Sequence, residues 1–212
     1  FLLNVLAGGS PYIPDTIGRY VPIELQVALH TDAGFHRDGS LYGSLSIATP
    51  YDDNGNLCYR SGLSRNASVA FATNILDDVA QDLSRTFGVQ WPQREVRVKN
   101  YSETRSPQVP AVILELLSHQ NFSDMVYAHD PNFKFTAARA IYKSVLREIY
   151  RLHHAGDPII QPLPIEALGV FLDGNHAVLH WNAVRDSLEA SAWPDDYVIY
   201  SRKGQDDWDN GM

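Results

Sequence analysis

The stretch Val109-Pro-Ala-Val-Ile-Leu-Glu-Leu-Leu117 constrains this chain more than any other. A continuous apolar run with proline at its start fits a central strand buried on both faces, not the in-and-out alternation of a half-solvated sheet. One residue breaks the run. Glu115 places a carboxylate among apolar neighbours, which is costly unless the group is paired, metal-linked or protonated. Burial also raises a carboxyl pKa, which suits a general acid or base near neutral pH. The plainer alternative is a strand-end glutamate paired with an arginine such as Arg105.

Other segments supply the layers such a strand needs. Pro22 to His30 (PIELQVALH) and Leu41 to Thr49 (LYGSLSIAT) read as strands, with Asp52-Asp-Asn-Gly-Asn56 as a turn. From Ser64 to Phe87 the residues Val69, Ile75, Leu76, Val79 and Leu83 recur at helical spacing, and Gly88 is a natural stop. Residues 134–153 form a second amphipathic helix, with Phe135, Ala138, Ile141, Tyr142, Val145 and Ile149 on one stripe. The first twenty residues, carrying Gly8-Gly9, Pro11, Pro14 and Gly18, read as a short helix end followed by loop. Helices alternating with apolar strands predict an α/β layer fold.

Composition narrows the function. The formal net charge is −8 and no Lys/Arg cluster exists, which argues against a nucleic-acid partner and against a simple electrostatic grip on anionic membranes or anionic cell-wall polymers. The single cysteine, Cys58, forms no intrachain disulfide, so the redox compartment stays open. No window approaches the roughly 18 apolar residues of a transmembrane helix. Phe1 to Leu6 lacks the basic leader of a signal peptide, and no methionine opens the chain, so a piece of something longer is expected.

After residue 157 the pattern changes. Residues 158–164 are a stiff, proline-rich linker, and beyond it Leu168–Leu172, Ala177–Trp181 and Tyr197–Ser201 alternate as short strands. A seven-strand sandwich takes roughly 100 residues, so the segment 165–212 predicts a partial all-β sandwich. The expected division is an α/β domain over 1–157, the linker, and that partial second domain.

Candidate site residues cluster at strand ends. His30 closes the first strand in Val27-Ala-Leu-His-Thr-Asp-Ala-Gly34, where α/β folds place ligands and catalytic groups. A neutral imidazole there suits zinc through one nitrogen, with the other donating to an acceptor such as Asp32; a hydrogen-bonded structural histidine is the alternative. His119, Gln120 and Asn121 come after the Glu115 strand at its corner, either to orient a substrate or to cap the next helix, with Asn121 or Ser123 as N-cap. His36, His129, His153 and His154 have no companion at ligand spacing. There is no G-x-S-x-G elbow, no glycine-rich phosphate loop and no C-x-x-C pair.

The strand ending in Ala28-Leu-His-Thr-Asp-Ala-Gly34 and the later Pro110-Ala-Val-Ile-Leu-Glu-Leu-Leu-Ser-His-Gln-Asn-Phe-Ser-Asp-Met125 together resemble the zinc-dependent N-acetylmuramoyl-L-alanine amidase family. A closer likeness, over Asn4–Ser10, His30–Gly34, Glu115–Met125 and Arg139–Lys143, is to large cell-envelope proteins of Gram-negative bacteria labelled xanthan lyase-like or named for a golvesin-type domain. Those proteins continue into a fibronectin type III-like module, which Pro162–Pro164, Trp181, Asp186–Glu189, Tyr197–Tyr200 and Asp209–Gly211 resemble. The resemblance implies His30 as the last zinc ligand and Glu115 as the catalytic carboxylate. It also implies a mixed-sheet, amidase-like α/β layer fold incomplete at its N-terminus, because the family's other ligands, a histidine in a Gly-His-Gly setting and a glutamate, lie upstream of the His30 strand. Asp32 stands where many members have asparagine.

The same resemblance implies zinc as cofactor and peptidoglycan, or another cell-envelope glycan, as partner. It implies a periplasmic, cell-surface or secreted location and hydrolysis of the amide between N-acetylmuramic acid and L-alanine. Glu115 would take the proton from water and deliver it to the leaving nitrogen, with Arg105 or His119 near the oxyanion. As given, the chain is expected to be inactive. Two rival classes remain: a polysaccharide lyase of xanthan type, for which Tyr101, Arg105 and His119 supply residue types, and a non-catalytic cell-wall glycan-binding scaffold. An unsaturated uronate product would mark the lyase.

Overall fold

A computed structural model of the chain describes residues 23–211. The expectations for residues 1–20 and the Asn4–Ser10 resemblance therefore lie outside the described residues. The chain divides between Pro158 and Ile159 into two units.

In the first unit, β1 (Gln26–Asp32), β2 (Ser44–Ala48), β3 (Gln93–Val98) and β4 (Ala111–Ser118) form one sheet in the order β1-β4-β2-β3. The pairs β1–β4 and β2–β3 are parallel, whereas β2–β4 is antiparallel, so the sheet is mixed. The apolar run occupies β4, an inner strand. Val112 and Leu114 pack into the main core, and Ile113 joins Ala28, Leu45 and Ile47 in a second, smaller cluster. This is the two-sided burial that a continuous apolar run requires.

The helix α1 (Asn66–Phe87) buries Phe71, Ile75, Leu76, Val79 and Leu83, the i, i+3, i+4 stripe of its sequence, and stops at Gly88 with φ +62°. Each such fully buried side chain contributes about 1.5–3 kcal/mol by leaving water. A four-residue helix α2 (Ser102–Arg105) precedes β4, and α3 (Phe122–His129) comes after it. The last helix, α4 (Pro131–Leu152), begins with Pro131 after an Asp130 cap whose side chain accepts from the Asn132 backbone N–H at 2.8 Å.

The buried stripe of α4 differs from the one its large apolar residues suggest. Phe133, Ala137, Ala140, Lys143, Ser144 and Glu148 face inward, while Phe135 and Tyr142 are exposed. The cause is the neighbour. Alanine and serine let α4 approach α1 closely, and Lys143 pairs with Asp82 of α1 at 2.7 Å, both side chains nearly inaccessible. A buried ion pair thus shares the inward face with Phe133, while Ile141 and Val145 of the expected stripe pack at the edge of the core.

The second unit contains a two-stranded antiparallel hairpin, β5 (Glu166–Asp173) and β6 (His176–Asn182). Residues 197–201, expected as a third strand, are not one. Asp209 takes the Ser201 backbone N–H at 3.0 Å and its hydroxyl at 2.6 Å, a local side-chain arrangement that competes with strand pairing. A hairpin alone is marginal, and Phe171 and Leu172 are exposed on it.

Candidate functional site

The parallel pairing of β1 with β4 puts His30 directly opposite Glu115. Residues in register on adjacent parallel strands project from the same face, so the two side chains meet there. The distance from His30 Nδ1 to Glu115 Oε1 is 3.9 Å, too long for a hydrogen bond and short enough for direct electrostatic interaction. The Glu115 side chain is only 13% exposed. Burial pushes its carboxyl above the ordinary 4.5; nearby His30 and Arg94 oppose that shift, while Asp32 and Glu103 add to it. Among the described residues, Oε2 of Glu115 has no hydrogen-bond partner. A buried carboxylate oxygen without a donor is normally answered by a proton, water or cation.

The other imidazole nitrogen meets a residue that the sequence patterns missed. Glu103 Oε1 lies 2.9 Å from His30 Nε2. No periodicity marks Glu103, which sits on the short α2, 73 residues from His30 in sequence. Asp32, expected as the acceptor for His30, is engaged elsewhere. Its Oδ1 accepts from the Ala33 backbone N–H at 2.8 Å, and its Oδ2 pairs with Arg94 Nη2 at 2.7 Å. Arg94 in turn lies over the Tyr42 ring, 4.0 Å from its centroid.

The remaining candidates separate. Arg105 does not pair with Glu115; its Nε meets Asp53 Oδ1 at 2.5 Å and its Nη1 donates to the Asn100 carbonyl. Asn121 is 1% exposed, and both ends of its amide are engaged: its oxygen caps α3 by accepting from the Asp124 N–H, and its nitrogen donates to the Ser40 carbonyl. Ser123 donates its hydroxyl to the Gly39 carbonyl. His119 stays near His30, with its Nδ1 3.2 Å from Thr31 Oγ1 across the ends of β1 and β4.

Leu29, His30, Thr31 and His119 border a groove of about 700 Å³ whose far wall is Met125, Phe133 and Ala137. Glu115 does not line it, because Leu29 and Leu116 project to the opposite face from His30 and Glu115. The carboxylate and the groove therefore lie on two sides of one pair of strands.

No family model matches the chain, and no curated protein matches it. Solved structures of peptidoglycan amidases do. The N-acetylmuramoyl-L-alanine amidase AmiC2 of Nostoc punctiforme aligns with a TM-score of 0.47 and 15% identity, over 64% of this chain and 63% of that one. The catalytic domain of CwlV from Bacillus (Paenibacillus) polymyxa var. colistinus aligns at 0.45 and 19%, over 66% and 63%. Ami1 from Mycobacterium smegmatis aligns at 0.47 and 15%, over 64% and 58%. The chain thus spans less than two thirds of each of these structures.

Tested as a zinc site, the described residues fit in kind but not in number. An imidazole and a carboxylate with a free oxygen stand side by side, which is suitable donor chemistry. A catalytic zinc takes three protein ligands and keeps one position open, and no group of three candidate donors occurs among the described residues. In such a site His30 would be one ligand. No helix among the described residues is long and apolar enough to cross a membrane.

Proposed function

We propose that this chain carries part of an amidase-like hydrolytic site, with Glu115 as its proton-transfer group and His30 as a zinc ligand, acting on the amide between N-acetylmuramic acid and L-alanine in peptidoglycan. The observation that carries the reading is the register of His30 against Glu115 at the C-terminal ends of two parallel strands. Two motifs far apart in sequence, each similar to the same family, meet on one face of one sheet.

Zinc, when bound, would supply carbonyl polarisation and a more acidic water. The chain's own contribution is the proton. A mostly buried glutamate with a raised pKa is a better base and a better acid near neutrality than an exposed one, since its affinity for a proton lies nearer the working pH. Its unpartnered Oε2 is the atom free to take a proton from water and return it to the leaving nitrogen. The apolar groove beside His30 is a suitable rest for an uncharged portion of a ligand, and the net charge of −8 weighs against simple electrostatic capture of anionic polymer. The hairpin of the second unit is read as the opening of a fibronectin type III-like module, and the protein as cell-envelope associated.

The test is a pair of variants in the protein with its native flanking sequence, assayed for bound zinc by elemental analysis and for cleavage of a muropeptide. H30A should lose zinc. E115Q should keep zinc and lose turnover by at least the 10²-fold of a proton-transfer group. Turnover surviving in E115Q, or zinc retained in H30A, overturns the assignment.

A further inference from the structure

The short helix α2 is anchored residue by residue. The Glu103 carbonyl accepts from Gln26 Nε2 of β1 at 3.1 Å. Thr104, wholly inaccessible, shares a hydroxyl–hydroxyl bond of 2.9 Å with the equally buried Thr49 just after β2. The Arg105 carbonyl accepts from Nη1 of Arg65, a fully buried side chain at the start of α1, at 3.0 Å. Three consecutive residues are thus tied to three different elements. Four residues of isolated helix have no intrinsic stability, so the anchoring is what holds this turn in place. The side chain that meets His30 from this turn is Glu103.

We propose that Glu103 is the positioning residue for His30: its carboxylate accepts the Nε2–H proton, fixing the ring in one tautomer and leaving the Nδ1 lone pair open on the side of Glu115. An ionised carboxylate can only accept, so at 2.9 Å the hydrogen must reside on Nε2. Nδ1 faces Glu115 Oε1 at 3.9 Å, beyond hydrogen-bond range, and so is not held by a competing donor or acceptor there. A second carboxylate or carbonyl behind an imidazole is the usual device for orienting a ligating histidine and raising its basicity. Here it selects which nitrogen is available. Any cation or proton that His30 binds is then received at Nδ1, on the side of the Glu115 carboxylate, whose Oε1 is 3.9 Å away. In this respect the inference rests on the hydrolytic reading, but the tautomer itself does not.

The experiment is nitrogen NMR of the ¹⁵N-histidine-labelled chain at about pH 8.5, well above the ordinary histidine pKa of about 6.5. The wild type should show His30 as a single tautomer, with a protonated Nε2 and an unprotonated Nδ1. E103Q should keep that pattern, because the amide oxygen accepts the same bond, whereas E103A should let the two nitrogens average. Glu103 is 39% exposed, so E103A is expected to fold, and the backbone amide spectrum checks this. If E103A does not fold, the wild-type and E103Q spectra decide alone. A proton on Nδ1 in the wild type, averaged nitrogens in the wild type, or an unchanged pattern in folded E103A overturns the proposal. Zinc affinity of the flanked protein should fall about 10–100-fold in E103A and recover in E103Q. Absence of zinc and of hydrolysis with the tautomer intact would sink the hydrolytic reading alone, and hydrolysis with an averaged wild-type ring would sink the Glu103 assignment alone.

Discussion

Asp124 is the residue whose removal should do most harm for its size. It is completely buried, and its carboxylate accepts three backbone N–H groups: Tyr42 at 2.8 Å on Oδ1, and Gly43 at 3.1 Å and Ser118 at 2.9 Å on Oδ2. These donors belong to the stretch of loop entering β2 and to the last residue of β4, so one side chain ties the two together beside the site. In D124A three donors lose their acceptor in a dry region. At about 1–3 kcal/mol for each orphaned buried group, with some relief where water reaches Tyr42, the cost is about 3–6 kcal/mol. D124N keeps one oxygen. Turned towards Gly43 and Ser118 it preserves two bonds and presents its amide hydrogens to the Tyr42 N–H, so about 1–3 kcal/mol is expected. Urea unfolding monitored by tryptophan fluorescence measures both. With a slope of about 2 kcal/mol/M, D124A should lower the midpoint by about 2 M and D124N by roughly half that, at unchanged slope. A D124A loss below about 1 kcal/mol, or equal losses in the two variants, would refute the idea that the cost lies in orphaned backbone donors.

The same geometry carries three further expected outcomes. The pKa of Glu115 is raised in the folded state, so the folded protein holds that proton more tightly than the unfolded chain; the associated stability is present below the ordinary 4.5 and is lost as pH rises through the raised value. Melting temperatures of E115Q and wild type should therefore diverge in favour of E115Q from about pH 4.5 upward and then run parallel; a gap constant from pH 4 to 8 would contradict this. K143M removes the ammonium that pairs with Asp82 in the α1–α4 interface and should cost about 3–5 kcal/mol by chemical denaturation, whereas K143M/D82L should recover most of it, and an additive double variant would speak against pairing. Gly43 has φ +76°, and a Cβ there would collide with the Pro92 carbonyl, so G43A should destabilise by about 1–3 kcal/mol in the same assay, with a neutral result excluding the clash.

How much of this is legible in the chain alone depends on whether a feature is local. The β4 strand, the α1 stripe and its Gly88 stop are each dictated by a contiguous pattern, and they occur where the pattern puts them. β3 is illegible because Gln93-Arg-Glu-Val-Arg-Val98 carries three charges in six residues; at the end of the sheet order that strand leaves Glu95 and Arg97 in water and pairs Arg94 with Asp32, and no apolar run announces it. The α4 face misleads for the opposite reason. Of its large apolar residues Ile141 and Val145 do pack against the core, but Phe135 and Tyr142 are exposed and the inward face carries Lys143 meeting Asp82, a long-range contact that periodicity does not encode. The site divides in the same way. His30 and Glu115 are visible as polar residues breaking apolar strands, whereas Glu103 is an ordinary glutamate in a polar loop until the anchoring of α2 brings it to the ring.

That division bears on how such a site is kept intact. The meeting of His30 and Glu115 depends wholly on register, and a slip of one residue between β1 and β4 would carry Glu115 to the helical face. The parallel ladder is pinned at both ends by bonds just outside it: Gln26 N–H to the Pro110 carbonyl at 2.9 Å, and His119 N–H to the Asp32 carbonyl at 3.0 Å. Asp124 then holds Ser118 at the end of β4, and α2, tied to β1 through Gln26, delivers Glu103 from the other side. The apolar run of β4 sets which strand is central but cannot by itself fix its phase, since Val112, Ile113 and Leu114 are buried on either face. Phase is set by the polar groups at the ends. The residues that look dispensable in a hydrophobic reading of this fold are thus the ones that decide whether an imidazole and two carboxylates meet.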